Sequence, residues 1–244
     1  MKKILKSTVM ILLFLTLSVS TAFLAYLQFF APADDELSGE WVADLDMAEH
    51  ASVEALRWLQ TVEAVSMSLE DMKVYMRDLA VRVDLTMEQT ARAGGTFRCG
   101  IRPESYDACN QAAYEAFARA FRAIVAERLR MAGYTEGTDD EAVEALVAET
   151  FGMSTVSYLM SCGPVLLPSL EDLQAQYDGS GTYEAAEGVL VRHYEEGGAA
   201  ATKEERYIWK DSNLVLSEET GSETAGVLSG RYPMIYTLEQ PENQ

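Results

Sequence analysis

The chain has 244 residues, 48% of them hydrophobic, with 39 acidic against 19 basic side chains and a formal charge of −20. That much apolar material is enough for a folded core and excludes a disordered chain. A surface this acidic repels nucleic-acid phosphates, so no nucleic-acid partner is expected, and it favours solubility and cationic partners.

Lys2, Lys3 and Lys6 precede an uncharged run from Ser7 to Ala33, and Asp34-Asp35-Glu36 follows it. Val9 to Phe30, as a helix rising about 1.5 Å per residue, spans roughly 33 Å, enough to cross a bilayer core. Lysines before the run and acids after it place the C-terminal part outside the cytoplasm. Tyr26, Phe29 and Phe30 suit an interfacial aromatic belt. The length favours a signal-anchor helix. Small residues at Ser20-Thr21-Ala22 and Ala31-Pro32-Ala33 keep a cleaved signal peptide, and hence secretion, as the alternative. No cysteine precedes Cys99, which excludes a lipidated N-terminal cysteine. The expected organisation is therefore a membrane or signal segment over 1–33 and an extracytoplasmic domain over 34–244. A retained anchor leaves Gly39 only a few residues from the bilayer, so a partner or ligand is expected near the membrane face.

Strands are expected at about 39–46, 79–101 and 181–238. Gly39 to Leu45 is the first, and residues 47–66 lean helical. From Leu79 to Met87 every odd position is apolar, which reads as a half-buried strand. Gly94-Gly95 then leads into Thr96 to Ile101, predicting an antiparallel hairpin joined by Glu88 to Ala93.

A helical insertion is expected over about 104–177. Tyr106, Cys109, Ala113, Phe117, Phe121, Ile124 and Val125 recur at steps of three and four. Arg119, Arg122, Arg128 and Arg130 on the same segment read as a solvated face pairing with nearby acids. Gly133 is a helix stop. Thr138-Asp139-Asp140-Glu141 reads as a capping box, and Ser154 and Ser169 as further helix starts.

The strand texture then returns. Gly181 to Ala186 and Val189 to Glu195 flank a two-residue turn at Glu187-Gly188. Glu205 to Trp209 and Leu214 to Ser217 flank another around Asp211-Ser212. Arg231 to Leu238 closes the series, with Pro233 confined to an edge, a strand start or a bulge. The connections are short, as in a meander.

Gly39-Glu40-Trp41 on the first strand, Gly95-Thr96-Phe97 in the first hairpin, Gly181-Thr182-Tyr183 after the insertion and Tyr232-Pro233 in the last strand resemble, in that order, the lipocalin-like (calycin) beta-barrel domains of uncharacterised Gram-positive bacterial envelope proteins. The resemblance covers about 39 to 238. It implies an α+β chain: an antiparallel barrel or meander of about eight strands, with a helical insertion and an N-terminal hydrophobic helix. It places Trp41 at the barrel floor and offers Arg231 as the cation packing over it, a contact of about 0.5–2 kcal/mol. It also implies binding of a small apolar ligand or an envelope component. The alternative is a structural or interaction module with a filled core, using the inserted helices as its partner surface.

Chemistry is sparse. Cys99 and Cys109 can close a short disulfide loop in an oxidising compartment, with Cys162 able to replace either. The cysteines lack metal spacing, no phosphate loop occurs, and no cofactor or metal is expected. His193 alternates with Val191, which makes it a candidate ligand contact inside the barrel. No nucleophile or acid–base set is recognisable, so an enzyme is not expected.

Overall fold

The computed structural model describes residues 37–61, 67–91, 93–197, 202–210, 212–218 and 232–239. The expected N-terminal helix and Arg231 lie outside the described residues.

Eight strands form one closed antiparallel barrel in sequence order: β1 (Gly39–Asp46), β2 (Ala80–Ala91), β3 (Gly94–Ile101), β4 (Gly179–Ala186), β5 (Val189–Gly197), β6 (Thr202–Lys210), β7 (Asn213–Glu218) and β8 (Met234–Leu238). β8 returns to β1, pairing Trp41 with Leu238 and Ala43 with Tyr236, so no sheet edge is left exposed. The α+β class, the meander and the strand number agree with the sequence reading, and the architecture is consistent with a lipocalin-like barrel.

Alternation selects the inner face. Trp41, Ala43 and Leu45 of β1 and Val81, Val83, Leu85 and Met87 of β2 all turn inward and are buried. The β2–β3 connection is tighter than expected. The ladder runs past Glu88 through a bulge between Gln89 and Ala91 and ends at the pair Ala91 and Gly94. Glu187 and Gly188 have φ of 53° and 79°, the left-handed pair that a two-residue hairpin turn of type I′ requires.

In an up-and-down barrel, connections alternate between the two ends. The β2–β3, β4–β5 and β6–β7 turns occupy one end, which we call the turn end. The chain enters β1 and leaves β8 there. The opposite end carries all the described helices. Between β1 and β2 lie α1 (Ala48–Thr61) and α2 (Leu69–Tyr75). Between β3 and β4 lie α3 (Pro103–Met131), α4 (Asp140–Phe151), α5 (Thr155–Cys162) and α6 (Leu170–Tyr177). Helix α2 is absent from the sequence reading, yet Ser68 and Asp71 form a reciprocal capping box at its start. The expected box at Thr138 is instead a single cap one residue later. The Asp139 carboxylate accepts from the Ala142 N–H at 2.8 Å. Ser154 and Ser169 cap α5 and α6 as expected.

Helix α3 packs on β2, and α6 packs on β3. The predicted stripe of α3 is its buried or half-buried face, with Phe117 edge-on to Trp58 of α1 at 5.8 Å. Tyr106 and Tyr114 donate to the carbonyls of Pro168 and Pro164, fixing the segment between α5 and α6. Among the described residues no helix is long and apolar enough to cross a membrane.

Candidate functional site

The barrel floor lies at the turn end. Trp41 is buried, and its indole N–H donates to the Leu37 carbonyl at 3.0 Å. Gly39 has φ of 153°, and a Cβ there would lie 2.5 Å from Leu238 and 3.5 Å from the Trp41 indole nitrogen. The glycine of the Gly-x-Trp pattern thus leaves room for the indole and Leu238 to close the floor.

The two Gly-Thr-aromatic motifs are register partners. Gly95 pairs with Tyr183, Thr96 with Thr182 and Phe97 with Gly181. Each aromatic side chain therefore faces inward opposite a residue that has no side chain. Gly181 also stands opposite Tyr194, which meets Phe97 edge-on at 5.0 Å. A Cβ at Gly181 would collide with the His193 carbonyl oxygen, so only glycine fits.

Against this aromatic pair lies a charged cluster inside the barrel. The Arg192 guanidinium is 5.5 Å from the Phe97 ring centre and 5.6 Å from that of Tyr194. It donates to Glu205 through Nε at 2.8 Å and Nη2 at 2.5 Å. Lys203 Nζ is 3.0 Å from the other Glu205 oxygen and 4.9 Å from the Tyr232 ring centre. The Tyr232 hydroxyl donates to that same oxygen. Arg192 and Glu205 are only 2% and 1% exposed.

Burial works against both charges, and the pairing overcomes it. Desolvation alone would depress the guanidinium, but the charge of Glu205 holds it above its ordinary pKa. Desolvation alone would raise the Glu205 carboxyl. Arg192, Lys203 and the Tyr232 hydrogen bond outweigh that and hold it below its ordinary value of 4.5. A buried charge this well matched is a structural clamp between β5, β6 and the segment before β8.

Many inward positions are tightly filled, while Tyr194, Lys203 and Tyr232 of the cluster itself are partly buried. Leu85, Leu190, Leu214 and Leu216 have no accessible surface, and Trp41 and Tyr236 keep 1% and 2%. A void able to hold a ligand would leave accessible surface on the side chains lining it.

His193 does not enter this interior. Arg192 takes the inward position, so His193 faces outward between Thr182 and Thr202, with Nδ1 3.1 Å from the Thr202 hydroxyl. The expected inward placement is corrected because β5 offers two equally apolar faces by sequence. The buried one carries Leu190 and Arg192.

The expected Cys99–Cys109 bridge is not formed: all three cysteines are free thiols. Cys99 turns into the barrel and donates to the Tyr177 carbonyl at 3.0 Å. Cys109 is buried on α3, and desolvation, with a smaller contribution from Asp46, pushes its thiol up to about 11. Cys162 is exposed at the end of α5. Among the described residues no group of three or more His, Cys, Asp or Glu is placed to hold a metal ion.

The helical insertion presents a second surface. Arg122 of α3 donates to Asp140 at 2.7 and 2.9 Å and to Glu144 at 2.9 Å. Glu144 in turn accepts from the Thr155 N–H and hydroxyl at the start of α5. This network ties α3, α4 and α5 together, and it borders an open groove of about 540 Å³ floored by Ala145, Ala148 and Val156. Phe151 and Met153, just beyond the groove, are exposed, and Phe151 stacks on Tyr158 at 4.3 Å. Met160 and Val165 are exposed as well.

Sequence reasoning missed the Arg192–Glu205 clamp, because a charged residue in a strand is read as facing water. Its signal is a register in which Arg192 faces Lys203 while Leu190 faces Glu205, and that emerges only once β5 and β6 are aligned. Comparison with known proteins finds no matching family model, no similar curated protein and no similar solved structure.

Proposed function

We propose that the chain is an extracytoplasmic interaction module of the cell envelope, of the lipocalin-like kind seen in uncharacterised envelope proteins of Gram-positive bacteria, tethered to the membrane through residues 1–33. It works by engaging an envelope component with its inserted helices, and its barrel is a scaffold. One observation carries this reading over carriage of a small apolar ligand: the inward Leu85, Leu190, Leu214 and Leu216 keep no accessible surface beside an ion pair, Arg192–Glu205, that is itself 2% and 1% exposed. The exposed Phe151, Met153, Met160 and Val165 on the insertion then supply the apolar contact area, and the neighbouring Asp140, Glu141 and Glu144 favour a partner with a basic rim.

The test has two arms. Titration of the folded chain with an apolar fluorescent fatty acid should give no saturable binding; saturable binding that changes Trp41 emission moves the function into the barrel. Photocrosslinking in the native envelope from position 160 should give a discrete adduct that Phe151→Ser abolishes. An adduct pattern the same as that from Thr96 on the barrel wall rejects the helical surface.

A further inference from the structure

The outer wall of the barrel is apolar in one place. On β6, β7 and β8, Ile208, Val215 and Ile235 are consecutive register partners and face outward in a row. Ile208 is 65% exposed and Ile235 57%. Arg206 and Lys210 flank the row on β6, and both are exposed. From Arg206 to Lys210, Asn213 to Ser217 and Ile235 to Thr237, no outward-facing residue is acidic, although the chain carries a net charge of −20.

The row lies low on the barrel. Ile208 and Val215 are each two residues from the β6–β7 turn, about 7 Å at 3.3 Å per residue. The chain enters β1 at this same turn end, and β1 is the hydrogen-bonded neighbour of β8. The uncharged run therefore joins the barrel beside the apolar wall. Between Phe30 and Leu37 the chain spans at most about 25 Å even fully extended.

From this placement we infer that the β6–β7–β8 wall rests on the bilayer surface, with Ile208, Val215 and Ile235 in the headgroup–acyl boundary and Arg206 and Lys210 against lipid phosphates. The inference rests on the tethered reading given above. An apolar row flanked by cations matches the chemistry of the interface, where snorkelling basic side chains concentrate. Acidic surface elsewhere is repelled by anionic lipid, so this acid-free stretch, bounded by Glu204 and Glu239, is the one that turns toward it.

The full chain, with Cys162→Ser to remove the exposed thiol, tests this in phosphatidylcholine–phosphatidylglycerol vesicles. A nitroxide is placed at Ile235→Cys, at Ile208→Cys, or at Thr96→Cys. Thr96 lies on β3, directly across the barrel and at the same height. Labels at 235 and 208 should lose most of their collisions with a water-soluble nickel chelate and gain collisions with oxygen, while the label at 96 stays aqueous. Equal aqueous exposure at all three sites, with the chain still floating with the vesicles, overturns the wall contact and leaves the tether standing. Spin–spin broadening at 235 that disappears on dilution with unlabelled chain assigns the wall to a second copy and likewise overturns it. Failure to float removes the tether reading and the inference with it. Agreement between 235 and 208 guards against one misfolded variant, and Trp41 near-ultraviolet dichroism checks each fold.

Discussion

Glu205→Gln is the sharpest probe of how the barrel is built. The substitution keeps shape and removes the charge that balances Arg192, which is 2% exposed between β4 and β6. Lys203 keeps 19% of its side chain accessible, whereas Arg192 keeps 3% and has no route to solvent. Breaking one partner out of a buried pair costs about 3–5 kcal/mol, because the remaining charge stays desolvated. For a domain of this size that corresponds to a melting-temperature loss of about 6–20 °C. The double variant Arg192→Met/Glu205→Leu removes both charges and fills the space with apolar groups. It should lie within about 2 kcal/mol of the native chain, since well-packed apolar replacements of buried pairs are commonly neutral or better. Urea denaturation followed by tryptophan fluorescence and far-ultraviolet dichroism measures both. The reasoning fails if Glu205→Gln costs under about 1 kcal/mol, or if the double variant is as unstable as the single one.

Three further outcomes are expected. Glu205 titrates below its ordinary 4.5 in the folded chain, so the unfolded chain binds its proton first; the stabilisation is complete above that ordinary value and is lost as pH falls through the lower folded one. Acid denaturation profiles of the native chain and Glu205→Gln should therefore converge below pH 4.5. Gly181→Ala drives a methyl group into the His193 carbonyl and should destabilise by at least about 2 kcal/mol in the same urea assay, whereas Gly137→Ala, where a Cβ meets nothing, should cost less. Native thiol titration with iodoacetamide and mass mapping should modify Cys162 alone, with Cys99 and Cys109 reacting only after denaturation; rapid native labelling of Cys109, whose thiol burial pushes to about 11, would contradict its placement.

The architecture was legible because each strand carries a period-two pattern and each insertion helix a cap or a stop. Leu79 to Met87 declared its dry face, and Ser154 and Ser169 marked helix starts that the structure keeps. Helix α2 was not legible: its capping box uses Asp rather than Glu at the third position, and its seven residues bury only Met72. The interior charges were hidden for a different reason. Val189, Val191 and His193 form as plausible an inner face as Leu190, Arg192 and Tyr194. Cross-strand pairing with Lys203 and Glu205 decides between them, and that pairing is tertiary information. The pairing of the cysteines was equally undetermined by spacing, because short separation in sequence says nothing of which way Cys99 faces.

Topology carries the functional argument further than any single residue. Strands two apart in an eight-stranded meander share an end for their connections, and strands four apart face one another across the barrel. The described helices therefore gather at the end opposite to the one where the chain enters β1. Helices α3 and α6 pack on β2 and β3, and those strands stand across the barrel from β6 and β7. An upright barrel on its tether holds the insertion at the far end. A barrel resting on its β6–β8 wall holds the insertion on the upper side. In both proposed poses the insertion leaves and re-enters the barrel at the end away from the chain's entry into β1. Under the proposed tether, a partner of the insertion would be approached from outside, and the uncharged run and the apolar wall would fix the barrel's orientation.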